Sequence, residues 1–150
     1  MAVNQFVIFR LGDEKYAVDI LNVGGISEFL EVTKVPNAPP FIDGIINLRG
    51  DIIPIVNLKK RFNIPEKKVD SDTRIIINNI NGKDVGFVVD EASQVINIDE
   101  TDIEDAPDII KGADRQYIAG VGKVNNQIVI LLNLEKILND DEKKAVNDIS

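Results

Sequence analysis

The chain alternates short apolar runs with clusters of Gly, Asn, Asp and Pro. The most informative stretch is residues 44–62, GIINLRGDIIPIVNLKKRF. Its apolar residues fall in two β-branched runs separated by Asn47-Leu48-Arg49-Gly50. This predicts strands near 44–47 and 51–56 joined by a tight turn. Pro54 lacks the N–H that a sheet ladder uses, so an edge position or a bulge is expected there. Asn57 ends the second run and is placed to cap a short helix over 58–62, its side-chain oxygen accepting an orphan N–H.

The same reading extends along the chain. Residues 6–11 and 15–18 predict a hairpin across Gly12-Asp13-Glu14. Residues 20–25 allow one helical turn, since Gly24 and Gly25 discourage more. A strand is predicted at 26–32. Pro36, Pro39 and Pro40 hold the next connection extended or turned. Phe41-Ile42 reads as a plug for that loop or as part of a contact surface. Residues 63–73 form a polar loop. Strands 74–80 and 85–89 flank Asn81-Gly82, a strong hairpin signal. Short strands follow at 95–98, 117–124 and 127–132, then a helix at 133–139 and an amphipathic charged tail at 140–150.

The central pattern occurs twice. Ile52-Ile53-Pro54-Ile55-Val56-Asn57-Leu58 lines up with Ile128-Val129-Ile130-Leu131-Leu132-Asn133-Leu134. The stretch from Gly12 to Asp19 resembles that from Gly82 to Asp90, with one extra residue in the second. Two matches in the same order predict a duplicated β module of roughly 70 residues. Short strands without long intervening helices suit small barrels better than a parallel α/β sheet. The expected fold is all-β: two five-stranded barrels packed together, with short helices and a C-terminal helix. Residues 1–150 form one domain in this reading. Its lobes span about 12–60 and 74–134, with exchange of terminal segments between them left open.

Composition narrows the chemistry. The 150 residues include no Cys and no His. Disulfides, thiolate nucleophiles and imidazole bases are therefore excluded. No run approaches the roughly 18 apolar residues of a membrane span, and the N-terminus lacks the basic and apolar regions of a secretory signal. A cytoplasmic location is expected. The net charge of −8, concentrated in residues 76–150, opposes binding to nucleic acid and to anionic membranes.

No constellation points to catalysis, a cofactor or a metal. The acids Asp99, Asp102, Glu104, Asp105 and Asp108 lack the glycine and glutamate spacing of a calcium loop and read as a solvated face. Asp90-Glu91 would point to opposite sides of a strand. Asp19 and Asp90 read as turn caps. Lys59-Lys60-Arg61 reads as a solvated helix face, with an anion site as the alternative. Arg49, at the tip between two apolar runs, suits either an internal salt bridge or a partner's carboxylate. A non-catalytic pair of barrels works by contact, through its seams and edge strands.

Residues 41–58, FIDGIINLRGDIIPIVNL, resemble the long motif of the CheW-like domain family, whose members include the bacterial chemotaxis coupling proteins. The stretches LGDEKYAVDI at 11–20, VGFVVD at 85–90, YIAGVG at 117–122 and ILLNL at 130–134 extend the resemblance over about residues 5–140. It implies two SH3-like barrels around a shared apolar seam and a protein that is no enzyme and needs no cofactor. It implies an adaptor that couples methyl-accepting chemoreceptors to the histidine kinase CheA at receptor arrays on the inner face of the membrane. The kinase's regulatory domain shares the fold, so the two can join pseudo-symmetrically into rings. The receptor's cytoplasmic hairpin tip is expected in the groove between barrels.

Carried over by motif, Arg49 corresponds to an arginine implicated in receptor and kinase coupling. Val32 matches a receptor-contact position, and Gly44 and Gly120 match glycines where bulk disturbs coupling. Ile26 and Glu28 extend the surface. For the kinase contact, exposed apolar positions within 74–89 are the expectation. The resemblance also covers the regulatory domain of CheA and the coupling half of CheV-type fusions. A chain starting at Met1 without kinase or receiver segments favours the free-standing adaptor. A small-molecule-binding barrel is the remaining alternative.

Overall fold

Tight turns organise the backbone of the computed structural model, which describes residues 3–66, 68–105, 117–138 and 144. Strands β1 (Val3–Leu11) and β2 (Glu14–Asp19) meet across Gly12-Asp13, with Gly12 at φ 61°. Strands β4 (Ile42–Leu48) and β5 (Asp51–Asn57) meet across Arg49-Gly50, at φ 54° and 91°. Strands β6 (Arg74–Ile80) and β7 (Lys83–Val89) turn over Asn81-Gly82, at 53° and 83°. Strands β10 (Ile118–Val124) and β11 (Gln127–Leu132) turn over Asn125-Asn126, at 50° and 64°. In the last three turns both central residues have positive φ, which matches the right-handed twist of paired strands and is why Asn and Gly recur there. Strands β3 (Val23–Glu28), β8 (Glu91–Asp99) and the short β9 (Ile103–Glu104) complete the set.

The strands form two sheets, ordered β8-β1-β2-β11-β10-β9 and β3-β6-β7-β5-β4. The first has six described strands where five were expected, because the two residues of β9 add to the edge of β10. The lobes also do not follow the stretches 12–60 and 74–134. Each sheet takes its hairpin from one sequence repeat and its remaining strands from the other. The joins are two parallel pairings, β11 on β2 and β5 on β7, and two antiparallel ones, β8 on β1 and β3 on β6. Parallel neighbours need a long crossover: the one from β2 to β11 passes through the other sheet, and the one from β5 to β7 runs through the residues of helix 58–62 and through β6 of the same sheet.

Alternation along the strands builds three apolar clusters. Phe6, Ile8, Ala17, Ile98, Val129 and Leu131 fill the first barrel. Ile46, Ile53, Ile55, Ile75 and Ile77 fill the second. The intervening residues face the opposite way: Val7, Phe9 and Leu11 from β1, Ile76 and Ile80 from β6, and Val85, Phe87 and Val89 from β7 join one shared cluster between the barrels. Successive side chains of a strand point to opposite faces, so the central strands are buried on both. This explains why they read as continuous apolar runs. Pro54 stands one residue before the parallel ladder to β7 begins at Ile55, so β5 is still an edge on that side.

Asn57 caps helix α1 (Leu58–Phe62), its side chain accepting from Lys60 N at 3.1 Å. Asn133 repeats the device on a 3₁₀ turn, Leu134–Lys136, instead of the expected longer helix. Of the C-terminal helix expected in 140–150 only Lys144 is among the described residues, and Asp108 of the acidic stretch lies outside them.

Candidate functional site

The two repeats can be matched bond by bond. Asn57 N donates to Phe41 O at 2.8 Å, and Asn133 N to Tyr117 O at 2.9 Å. Ile55 pairs with Gly86 as Leu131 pairs with Ala17. On this register Arg49 corresponds to Asn125, Ile52 to Ile128, Ile26 to Val95, and Asp84 to Lys15. Glu14 therefore falls on Lys83, so Asp19 and Asp90 are not equivalent. The sequence match had slipped because one turn carries its glycine first and the other second.

Each barrel has an open end, and the ends are equivalent. At one, Ile26, Glu28, Leu48, Arg49, Asp51 and Asp84 border a depression of about 460 Å³. At the other, Lys15, Gln94, Val95, Val124, Asn125 and Gln127 border one of about 450 Å³. Large apolar side chains are exposed at matching positions: Ile26 (42%) and Ile52 (46%), Val95 (51%) and Ile128 (69%). Isolated exposed apolar residues are ordinary, but Ile26 and Val95 each border one of the two depressions at equivalent positions, while Ile52 and Ile128 do not line them. Among the described residues, the Arg49 guanidinium makes no hydrogen bond or ion pair. The internal salt bridge considered from sequence is absent among them. Arg49 is exposed on a left-handed turn, and Asn47 Oδ1 accepts Gly50 N at 2.9 Å to hold that turn.

The structure thus gathers Ile26, Glu28 and Arg49 on one barrel end. Val32 and Gly44 adjoin each other elsewhere on the same barrel. Thr33 pairs with Ile45 through two 2.8 Å bonds. This brings Thr33 O to 2.1 Å and Val32 Cγ1 to 2.9 Å from where a Cβ on Gly44 would sit. Gly120 occupies the matching place on the other barrel, its would-be Cβ 2.9 Å from Glu104 O. Both glycines sit where the ladder register shifts. Their role is close backbone approach, and bulk there acts by displacing the neighbouring segment.

Residues 74–89 do not offer the expected apolar contact. β6 and β7 are interior strands of their sheet, and the apolar residues of this stretch are buried or half-buried. Burial of both faces, invisible in a one-dimensional pattern, is the reason. Sequence reasoning instead missed Ile52, Val95 and Ile128, whose exposure depends on where each strand runs past its neighbour.

The basic run is also reassigned. Lys59 is buried and pairs with the buried carboxylate of Asp90. Lys60 Nζ donates to Asp43 Oδ1 at 2.9 Å, and this bond holds its pKa above the usual lysine value. Arg61 Nε donates to Ile137 O at 3.1 Å, and its guanidinium lies over the Phe41 ring. Asn57 Nδ2 donates to Asp43 Oδ2 and to Glu66 Oε1, both at 3.0 Å. These contacts are internal, and they tie α1 to both lobes. Asp19 caps the turn Ile20–Asn22 by accepting Leu21 N at 2.9 Å, as its position suggested. Asp90 instead reaches across the molecule. Among the described residues no group of acids is arranged to hold a metal ion, and no helix is long and apolar enough to cross a membrane.

Comparison with known proteins follows the same lines. The model of the CheW-like domain matches residues 5–142. The chemotaxis protein CheW of Klebsiella aerogenes is 36% identical over 146 residues, covering 97% of this chain and 88% of that protein. The chemotaxis protein CheW of Treponema pallidum is 35% identical over 157 residues, covering 99% and 92%. Among solved structures, the scaffolding protein TtCheW from Thermoanaerobacter tengcongensis aligns with a TM-score of 0.85 at 37% identity, covering 95% of this chain and 92% of that one.

Proposed function

The chain belongs to the CheW-like domain family, and from that premise we propose that it is a non-enzymatic adaptor of chemotaxis signalling. Its partners in this reading are the regulatory domain of the histidine kinase CheA and the cytoplasmic tip of methyl-accepting receptors. It acts in the cytoplasm, at receptor arrays on the inner face of the membrane. The 150 residues act as one domain, because the shared cluster draws on both repeats.

One observation carries the reading: two equivalent depressions, one on each barrel, each bordered by an exposed apolar side chain, Ile26 on one and Val95 on the other. A bridging protein needs separate faces held at a fixed angle, and two fused barrels supply them. Arg49, Ile26 and Glu28 form a coupling surface on one end, with Arg49 available for a bidentate carboxylate contact. Val32 and Gly44 set the position of the adjoining segment, and Gly120 does so on the other barrel. The barrel interiors are filled by side chains such as Ile55 and Ile75, and Asp19 and Asp90 serve separate structural bonds. Both facts weigh against a ligand-binding barrel.

Co-sedimentation tests the proposal. The purified chain should pellet with receptor-containing membranes and carry the kinase with it. No association with receptor, kinase or both together would end the reading.

A further inference from the structure

The two barrel ends are equivalent in shape and opposite in charge. Lys15 on β2 and Asp84 on β7 occupy the same place in the repeat, and both are exposed. Around Asp84 the rim adds Glu28 and Asp51 against the one cation Arg49. Around Lys15 the described rim is otherwise uncharged, with Gln94, Asn125 and Gln127. Lys15 Nζ donates to Gln127 Oε1 at 2.8 Å, a neutral partner that leaves its charge uncompensated. Gln127 in turn matches Asp51 of the other end. Three positions, with Arg49 against Asn125 as the third, have thus diverged in charge while the exposed apolar residue beside them, Ile26 or Val95, has been kept.

Resting on the adaptor reading above, we propose that Lys15 and Asp84 make docking directional. The Lys15 end takes a partner barrel end bearing carboxylates, and the Asp84 end takes one bearing Lys or Arg. Ile26 and Val95 supply apolar contact area common to both ends and do not tell them apart. Charge does, because bringing like ends together sets Asp84, Asp51 and Glu28 against carboxylates and is repulsive.

The test titrates the chain with the purified kinase regulatory domain at about 50 mM and about 300 mM salt, where screening differs strongly. Lys15→Glu and Asp84→Lys each reverse one end, with Lys15→Gln and Asp84→Asn as milder variants. Val95→Asp and Ile26→Asp test the ends as contact surface. Each reversal is expected to weaken low-salt binding about fivefold or more, with the neutral variants between. The gap to the unaltered chain should shrink at high salt. A reversal at either end that leaves low-salt binding unchanged overturns directional docking. If Val95→Asp and Ile26→Asp still abolish binding in that case, the ends remain docking faces and only the charge sorting falls. If they too bind normally, the contact surface assigned to the adaptor falls with it.

Discussion

Asp90 Oδ2 accepts the backbone N–H of Gly12 at 2.7 Å, although the two residues lie 78 positions apart in the chain. Its other oxygen pairs with Lys59, and its own N–H donates to Arg10 O at 2.9 Å. One carboxylate therefore fastens the first hairpin turn to the helix that follows β5. Removing one member of a buried pair strands the other charge, at a cost of about 3–5 kcal/mol. Asp90→Ala and Lys59→Met should each lose stability on that scale in urea denaturation. The double variant should lose less than the sum, because neither charge is left alone. Additive losses would show that the pair is not coupled.

Glycines separate close approach from idle flexibility. Gly44→Ala places a methyl group 2.1 Å from Thr33 O at φ 148° and should destabilise by about 1–3 kcal/mol or displace the Thr33 segment. Gly120→Ala should cost less, since its nearest atom is 2.9 Å away. Gly25 has nothing within 4 Å of its would-be Cβ, so Gly25→Ala should stay within about 0.5 kcal/mol. Thermal midpoints of the three variants give the order directly.

Arg49 offers a separation of folding from coupling. Its φ of 54° suits Asn better than Arg. Arg49→Asn should keep or slightly raise the melting temperature while weakening assembly with receptor and kinase severalfold. Arg49→Asp should weaken it further. A pull-down that recovers full binding with Arg49→Asp would remove the guanidinium from the interface.

Lys60 predicts a response to alkali. Its hydrogen bond to Asp43 raises the folded pKa above that of the unfolded lysine. The associated stability is present in full below about pH 10.4 and is lost as pH rises through the folded value. The stability difference between the unaltered chain and Lys60→Met should therefore narrow between about pH 9 and about pH 11.5. Urea midpoints at the two values measure it, and a constant gap would refute the linkage.

Local features were legible in the sequence because their causes are local. The turns at Arg49-Gly50, Asn81-Gly82 and Asn125-Asn126, the caps Asn57 and Asn133, and the edge position of Pro54 each follow from a few neighbouring residues. The motif also located Arg49 correctly at an exposed tip. What stayed hidden was non-local. Lys59 reads as one of three solvated cations until Asp90 is brought beside it from another strand. The stretch 74–89 reads as a candidate surface until its strands are found in the middle of a sheet. Exposure of Ile52 and Ile128 depends on strand offsets, which no alternation of apolar and polar residues records.

The crossed assignment of hairpins to sheets has a consequence for how the molecule can be cut. A nick in the exposed stretch 68–72 leaves two half-chains, neither of which owns a complete sheet. Each half lacks the parallel neighbour that the other carries, β11 for β2 and β7 for β5. Expressed alone, the halves should be unfolded; mixed, they should reassemble into the native pair with a midpoint that rises with concentration. Such an arrangement is what a symmetric partnership of two identical short polypeptides would leave behind once a single linker had joined them.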